Sequence, residues 1–200
     1  MPYQINDEDI NKILNTKGEV RGVVFKTDRK FIFDKAGDEG IKKVEAELQK
    51  MNCPFNYEEE ADNMSFYPIG MRVLSIVAIS KALNLEKDDV VQMGRNAPKF
   101  SLMIKFFMRH FLSAEKIMEK AGEMWKKHYT AGRLEAVEMN TEEKFVRAYI
   151  HEIDLHPVLC DYLSGYFSSI IKMGVGEETK AEEVKCIHRG DNYHEFIIRW

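Results

Sequence analysis

Two hundred residues, 44% hydrophobic and 31% charged, suffice for one sizeable core and are too apolar for a disordered chain. A formal net charge of −4, with both signs mixed along the chain, argues against the concentrated basic surface that phosphate backbones require, so no nucleic-acid partner is expected. The three cysteines are an odd number, the first residues are acidic without an apolar leader, and no apolar run nears the roughly 20 residues of a membrane span, so a cytoplasmic location without disulfides is expected.

Residues 6–15 read as a short helix capped by Asn6 or Asp7, with Ile10, Ile13 and Leu14 on one side. Past Gly18 and Gly22, the apolar residues Val23, Val24, Phe25, Phe31, Ile32 and Phe33 fit a strand pair or a buried helix, and we favour a helix ending near Gly37. Residues 39–51 space Ile41, Val44, Leu48 and Met51 along one face of a charged helix, which Cys53 and Pro54 end. The acidic residues 57–63 read as a solvated loop. A helix opening at Tyr67 and Pro68 is apolar nearly all round, through Met71, Leu74, Ile76, Ile79 and Leu83, and should be buried. Residues 85–95 form another helix, which Pro98 separates from a longer apolar one at 100–111.

Ser113 is a good N-cap for the next helix, in which Ile117, Met118, Ala121, Met124 and Trp125 alternate with Lys and Glu. After Gly132 the period changes: residues 134–139 and 144–153 are rich in β-branched and aromatic side chains and fold as a hairpin about residues 140–142. His156 and Pro157 begin a last helix with Leu159, Leu163, Tyr166, Phe167 and Ile170 on one face, closed by Gly174 and Gly176. A second hairpin joins residues 182–188 and 193–200 around 189–191. The fold class is α+β: an antiparallel four-stranded sheet from two C-terminal hairpins, packed against a mostly helical N-terminal part in a single domain, 1–200.

Cys160, Glu183, Cys186 and His194 are the sharpest chemical signal. Two thiols, a carboxylate and an imidazole make a tetrahedral donor set for a borderline-soft cation. A three-residue turn at 189–191 would put Cys186 opposite His194. Cys160, in the first turn of its helix, can face the sheet, and the helix N-terminus favours a thiolate there. Glu183 fits less well, because its odd offset from Cys186 puts the two on opposite faces of a regular strand unless a bulge intervenes. Without a metal, the same residues read as two buried thiols, a solvated carboxylate and a hydrogen-bonded histidine.

The stretches CDYLSGYF at 160–167 and EVKCIHRGDNYHEF at 183–196 resemble the end of a 4-vinyl-reductase domain, with the preceding hundred residues similar in outline. That family includes sensors of phenols and related aromatics, in which a Cys, Glu, Cys, Cys set holds zinc beside a ligand pocket. The resemblance carries the first three ligands onto Cys160, Glu183 and Cys186; the last falls on His194, a departure. The family's fold is shared with subunits of the trafficking protein particle. GVVF at 22–25 and GDEG at 37–40 also look distantly similar to haem NO-binding domains.

The reading that follows is a cytoplasmic small-molecule sensor with an apolar pocket and zinc as a structural cofactor. Candidate pocket residues are Phe100, Met103, Phe107, Phe111 and Trp125, with His151, Tyr162 and Tyr166 as polar contacts, although the apolar ones suit a plain core or a dimer face equally. Haem is not expected, His110 and His128 reading as surface or capping histidines. The alternatives are a dimeric, trafficking-particle-like subunit holding an acyl chain, and a haem-binding sensor. With no nucleotide-binding glycine loop, Ser-His-Asp order or open metal site, the chain does not read as an enzyme. A homodimer and a small apolar or aromatic ligand are the expected partners.

Overall fold

The computed structural model describes residues 3–100 and 113–200. Helix α1 (Asp7–Leu14) begins with a reciprocal cap, Asp9 N–H donating to Asn6 Oδ1 at 2.9 Å and Asn6 N–H to Asp9 Oδ2 at 3.2 Å. The short strand β1 (Glu19–Arg21) pairs antiparallel with β2 (Phe66–Pro68). Between them runs α2 (Val23–Lys50), two helical arms that meet at a kink; Gly37, at φ 61° and ψ −159°, supplies the break where the first helix was expected to end, in a conformation essentially reserved for glycine.

Helix α3 (Ile69–Ala82) follows Pro68, which caps it from outside rather than sitting in its first turn. As expected it is buried on nearly every side, and that burial includes a charge: Arg72 is 0% exposed. In α4 (Lys87–Phe100), Pro98 lies inside the helix and does not end it: the helical path continues through it to Phe100. Of the helix expected at 100–111, Phe100 is the last residue of α4 and the rest lies outside the described residues.

Helix α5 (Ala114–His128) starts at Ser113, whose Oγ accepts from Lys116 N–H, and leads into β3 (Arg133–Asn140) and β4 (Phe145–His151). Then come α6 (Pro157–Val175), β5 (Lys180–Lys185) and β6 (His194–Arg199), giving an antiparallel sheet of order β3-β4-β6-β5. The α+β class and the four-stranded sheet are as the sequence implies. Helix α6 is set by its ends: Pro157 at the first turn, the His156 side chain accepting from Val158 N–H, and Gly176 at φ 76° as the left-handed cap.

Helices α4 and α6 cross backbone against backbone. A Cβ on Gly94 would stand 1.9 Å from the Tyr162 carbonyl oxygen, and one on Gly165 would stand 1.8 Å from that of Val91. This contact fixes the position of α6, which presents residues to both regions described next. No helix among the described residues is long and apolar enough to cross a membrane.

Candidate functional site

Cys160, Glu183, Cys186 and His194 come together: each offers a donor atom, and these atoms all lie within 4.8 Å of one another. A β-bulge makes this possible. Glu183 pairs with Phe196 but Lys185 pairs with Glu195, so Val184 is the extra residue, and Glu183 turns to the face that Cys186 uses. Cys186 lies just past the strand, its N–H donating to Asp191 Oδ2 at 2.8 Å and its carbonyl accepting from Arg189 N–H at 2.8 Å. The turn is thus longer than three residues and contains a short 3₁₀ segment, Ile187–Arg189.

His194 organises the cluster. Its Nε2 lies 2.8 Å from the Ile153 carbonyl oxygen, which only accepts, and its Nδ1 lies 2.8 Å from Glu183 Oε1 and 3.6 Å from Cys160 Sγ. With both ring nitrogens facing acceptors, the imidazole is held protonated. Burial pulls the His194 pKa down, but the Glu183 carboxylate and the Ile153 carbonyl outweigh it and leave it raised. Burial pushes Glu183 up, and its bonds to His194 and Cys186 bring it below the usual carboxylate range. A cation replacing the Nδ1 proton would find the arrangement common to metal-bound histidines, the other nitrogen donating to a backbone carbonyl. Cys160 departs from expectation: burial, then Glu183 and Cys186, raise its pKa, outweighing the helix N-terminus.

A cavity of about 120 Å³ lies between α2, α5, α6 and the sheet. Its described lining is mainly aliphatic and aromatic, from Val24, Ile117, Trp125, Leu163, Phe167 and Ile198 among others, with Thr27, His128, Tyr129, Tyr162 and Tyr166 as polar members. The end of α5 is anchored: Trp125 Nε1–H donates to the Ala131 carbonyl at 3.0 Å, Arg21 Nε–H to the Lys127 carbonyl at 2.7 Å, and Thr130 N–H to the Glu19 carbonyl at 2.9 Å. Trp125 and Tyr129 stack at 4.4 Å.

His128 stands at that anchored end. Its Nε2 is buried and has no hydrogen-bond partner among the described residues. A helix C-terminus normally favours a charged histidine. Here burial dominates, with the nearby charges of Arg21 and Lys127, and pulls the pKa down to about 4, so the ring is neutral.

Of the eight expected pocket residues, Trp125, Tyr162 and Tyr166 line the cavity. His151 does not. It sits at the end of β4 beside Tyr193, with Nε2 3.2 Å from Glu135 Oε2, because strand alternation carries it to the face away from the helices. Met103, Phe107, Phe111, His110 and the Phe100 side chain lie outside the described residues. Tyr129 and Arg72 were missed. The signal for Arg72 was available: a single arginine in an otherwise apolar helix has to be buried or to break the pattern.

No protein-family model matches the chain, and no curated protein does. Among solved structures, the fold is that of H-NOX domains. An H-NOX protein from S. oneidensis in the Fe(II)NO ligation state matches with TM-score 0.65 at 14% identity, over 90% of this chain and 98% of that one. An unliganded Fe(II) H-NOX protein from K. algicida matches with TM-score 0.63 at 12% identity, over 90% and 95%. A structure titled as probing haem distortion in the H-NOX family matches with TM-score 0.61 at 14% identity, over 90% and 94%.

The distant likeness to haem NO-binding domains is therefore met in the fold, while the comparisons do not show the 4-vinyl-reductase family. The expected cofactor is corrected as well. Zinc was expected and haem was not, but the matching folds are titled as haem domains. The physical reason to revise lies in the cavity. His128 is no capping histidine but a neutral imidazole whose Nε2 has no partner among the described residues, whereas the four-residue cluster already satisfies its central histidine.

Proposed function

We propose that this chain is a small-molecule sensor domain whose cavity takes haem, with His128 as the protein ligand to the iron. The observation that carries this reading is the buried Nε2 of the neutral His128, without a hydrogen-bond partner among the described residues, on the wall of an apolar cavity. A neutral imidazole is the form that ligates iron. Bound haem would supply an iron centre able to take a small diatomic ligand. The chain's own contribution is to hold His128 through the anchored end of α5, to surround the ring system with apolar and aromatic side chains, and to keep water from it. Binding rather than catalysis is the function on this reading.

Reconstitution with ferric protoporphyrin IX tests it. One equivalent should bind and give a Soret band. In His128→Gly the band should be lost or shifted, and added imidazole should restore it with the far-ultraviolet circular dichroism unchanged throughout. Stoichiometric uptake with an identical spectrum in His128→Gly, or no uptake by the wild type, overturns the proposal.

A second reading concerns Cys160, Glu183, Cys186 and His194, favoured by the convergence of their four donor atoms and the Ile153 carbonyl behind His194. We propose that they can bind a borderline-soft metal ion that fastens α6 to the β5-β6 turn. Cobalt(II) titration reads it directly. Thiolate charge-transfer bands should rise to one equivalent and disappear in Cys186→Ala, and their absence in the wild type rejects this role. The expected homodimer belongs with these proposals and is read by sedimentation velocity.

A further inference from the structure

Behind the cavity lies a charged pair that the reading above leaves unused. Arg72 of α3 is fully buried, its Nη1 paired with Asp28 Oδ2. The same carboxylate oxygen accepts from Ser75 Oγ at 2.7 Å, and Ser75 Oγ lies 2.8 Å from the Tyr57 hydroxyl. Yet Arg72 Nε and Nη2, and Asp28 Oδ1, have no hydrogen-bond partner among the described residues. Buried charged groups are seldom left so incompletely satisfied without a role or an absent partner.

The position of the pair suggests which. The guanidinium carbon lies 4.4 Å from the centroid of the Tyr162 ring. Tyr162 and Tyr129 line the cavity, as does Thr27, the residue before Asp28. Thr27 is already committed, its hydroxyl donating to the Val24 carbonyl at 2.7 Å. Burial keeps both phenols protonated and able to donate. Phenol donors, one of them with the guanidinium over its ring, occupy this corner, and no acidic side chain is among the described lining residues to oppose an anion.

We propose that the cavity selects ligands bearing a carboxylate on an apolar body, with Tyr129 and Tyr162 receiving the carboxylate and Arg72 acting behind them as the positioning residue. The inference rests on the cavity being a ligand site, and not on iron or on His128. Ordered by the Asp28 pair, Arg72 holds the Tyr162 ring through its face and strengthens both phenols as donors, so the cavity reads charge without exposing a charge of its own.

Fluorescence titration with anilinonaphthalene sulfonate and with uncharged N-phenylnaphthylamine, which has the same rings without the anionic group, tests this. The sulfonate stands in for the carboxylate. The wild type should prefer the anionic probe by about tenfold, the size of one charge-assisted hydrogen bond. The Tyr129→Phe, Tyr162→Phe double variant should lose the preference and bind both probes about equally. Paired replacement of Arg72→Met with Asp28→Leu should also reduce the preference. A general loosening of the fold would weaken both probes together and leave their ratio intact. Equal affinities in the wild type, or a preference that survives in the tyrosine variant, overturn the inference alone. Failure of both probes to enter overturns it together with the reading of the cavity as a ligand site.

Discussion

Glu183 and His194 face each other at 2.8 Å, eleven residues apart on neighbouring strands, and they do so because Val184 is squeezed out of the β5 ladder. Glu183 is 11% exposed at its side chain and His194 3%, so the pair is shielded from water. Replacing Glu183→Gln removes the carboxylate that keeps the His194 pKa raised, so burial favours the neutral ring and the charged pair is lost. Breaking a buried pair costs about 3–5 kcal/mol, and the partial exposure of Glu183 reduces this to about 2 kcal/mol. Urea unfolding at neutral pH measures the loss, and nuclear magnetic resonance titration should show the His194 pKa falling.

His128 makes the ligand-free protein sensitive to acid. Its folded pKa of about 4 lies below the ordinary 6.5, so on acidification the unfolded chain takes up the proton first. Its contribution is complete above the unfolded value and is lost as pH falls from 6.5 toward 4, on the order of 3 kcal/mol in all. His128→Gln should remove that part of the slope in unfolding free energy against pH.

The crossing of α4 and α6 tolerates no side chain. Gly94→Ala or Gly165→Ala places a Cβ against a backbone oxygen that cannot retreat, and each should cost about 3 kcal/mol or more. Gly176→Ala is the internal contrast. Nothing lies within 4 Å of its added Cβ, so only the left-handed backbone resists, at about 1 kcal/mol. Thermal melting of the three variants gives the comparison.

Asp28 and Arg72 should be far more sensitive singly than together. Asp28→Leu strands a fully buried guanidinium and should cost about 3–5 kcal/mol, whereas adding Arg72→Met removes the stranded charge and recovers much of the loss. A double-mutant cycle in urea measures the coupling.

Patterns with a local physical cause were the legible ones. The α1 cap, the Ser113 and Pro157 helix starts and the two C-terminal hairpins all follow from side chains that act on backbone a few positions away, or from strand alternation. The bulge at Val184 could be named only as a requirement, since alternation records which face a residue uses and not where a ladder slips. Strands β1 and β2 were missed because three-residue strands carry no period. His128 was passed over for a related reason. Its setting depends on β1, α5 and the cavity wall together, so nothing within its own segment separates it from a capping histidine.

Cys160 and Tyr162 stand two positions apart on one rigid helix, the first in the four-residue cluster and the second on the cavity wall. A movement of that helix which widens the cavity would change the geometry of the cluster as well. A ligand that requires such a movement would then be coupled to a metal in the cluster, each altering the affinity of the other by the same factor.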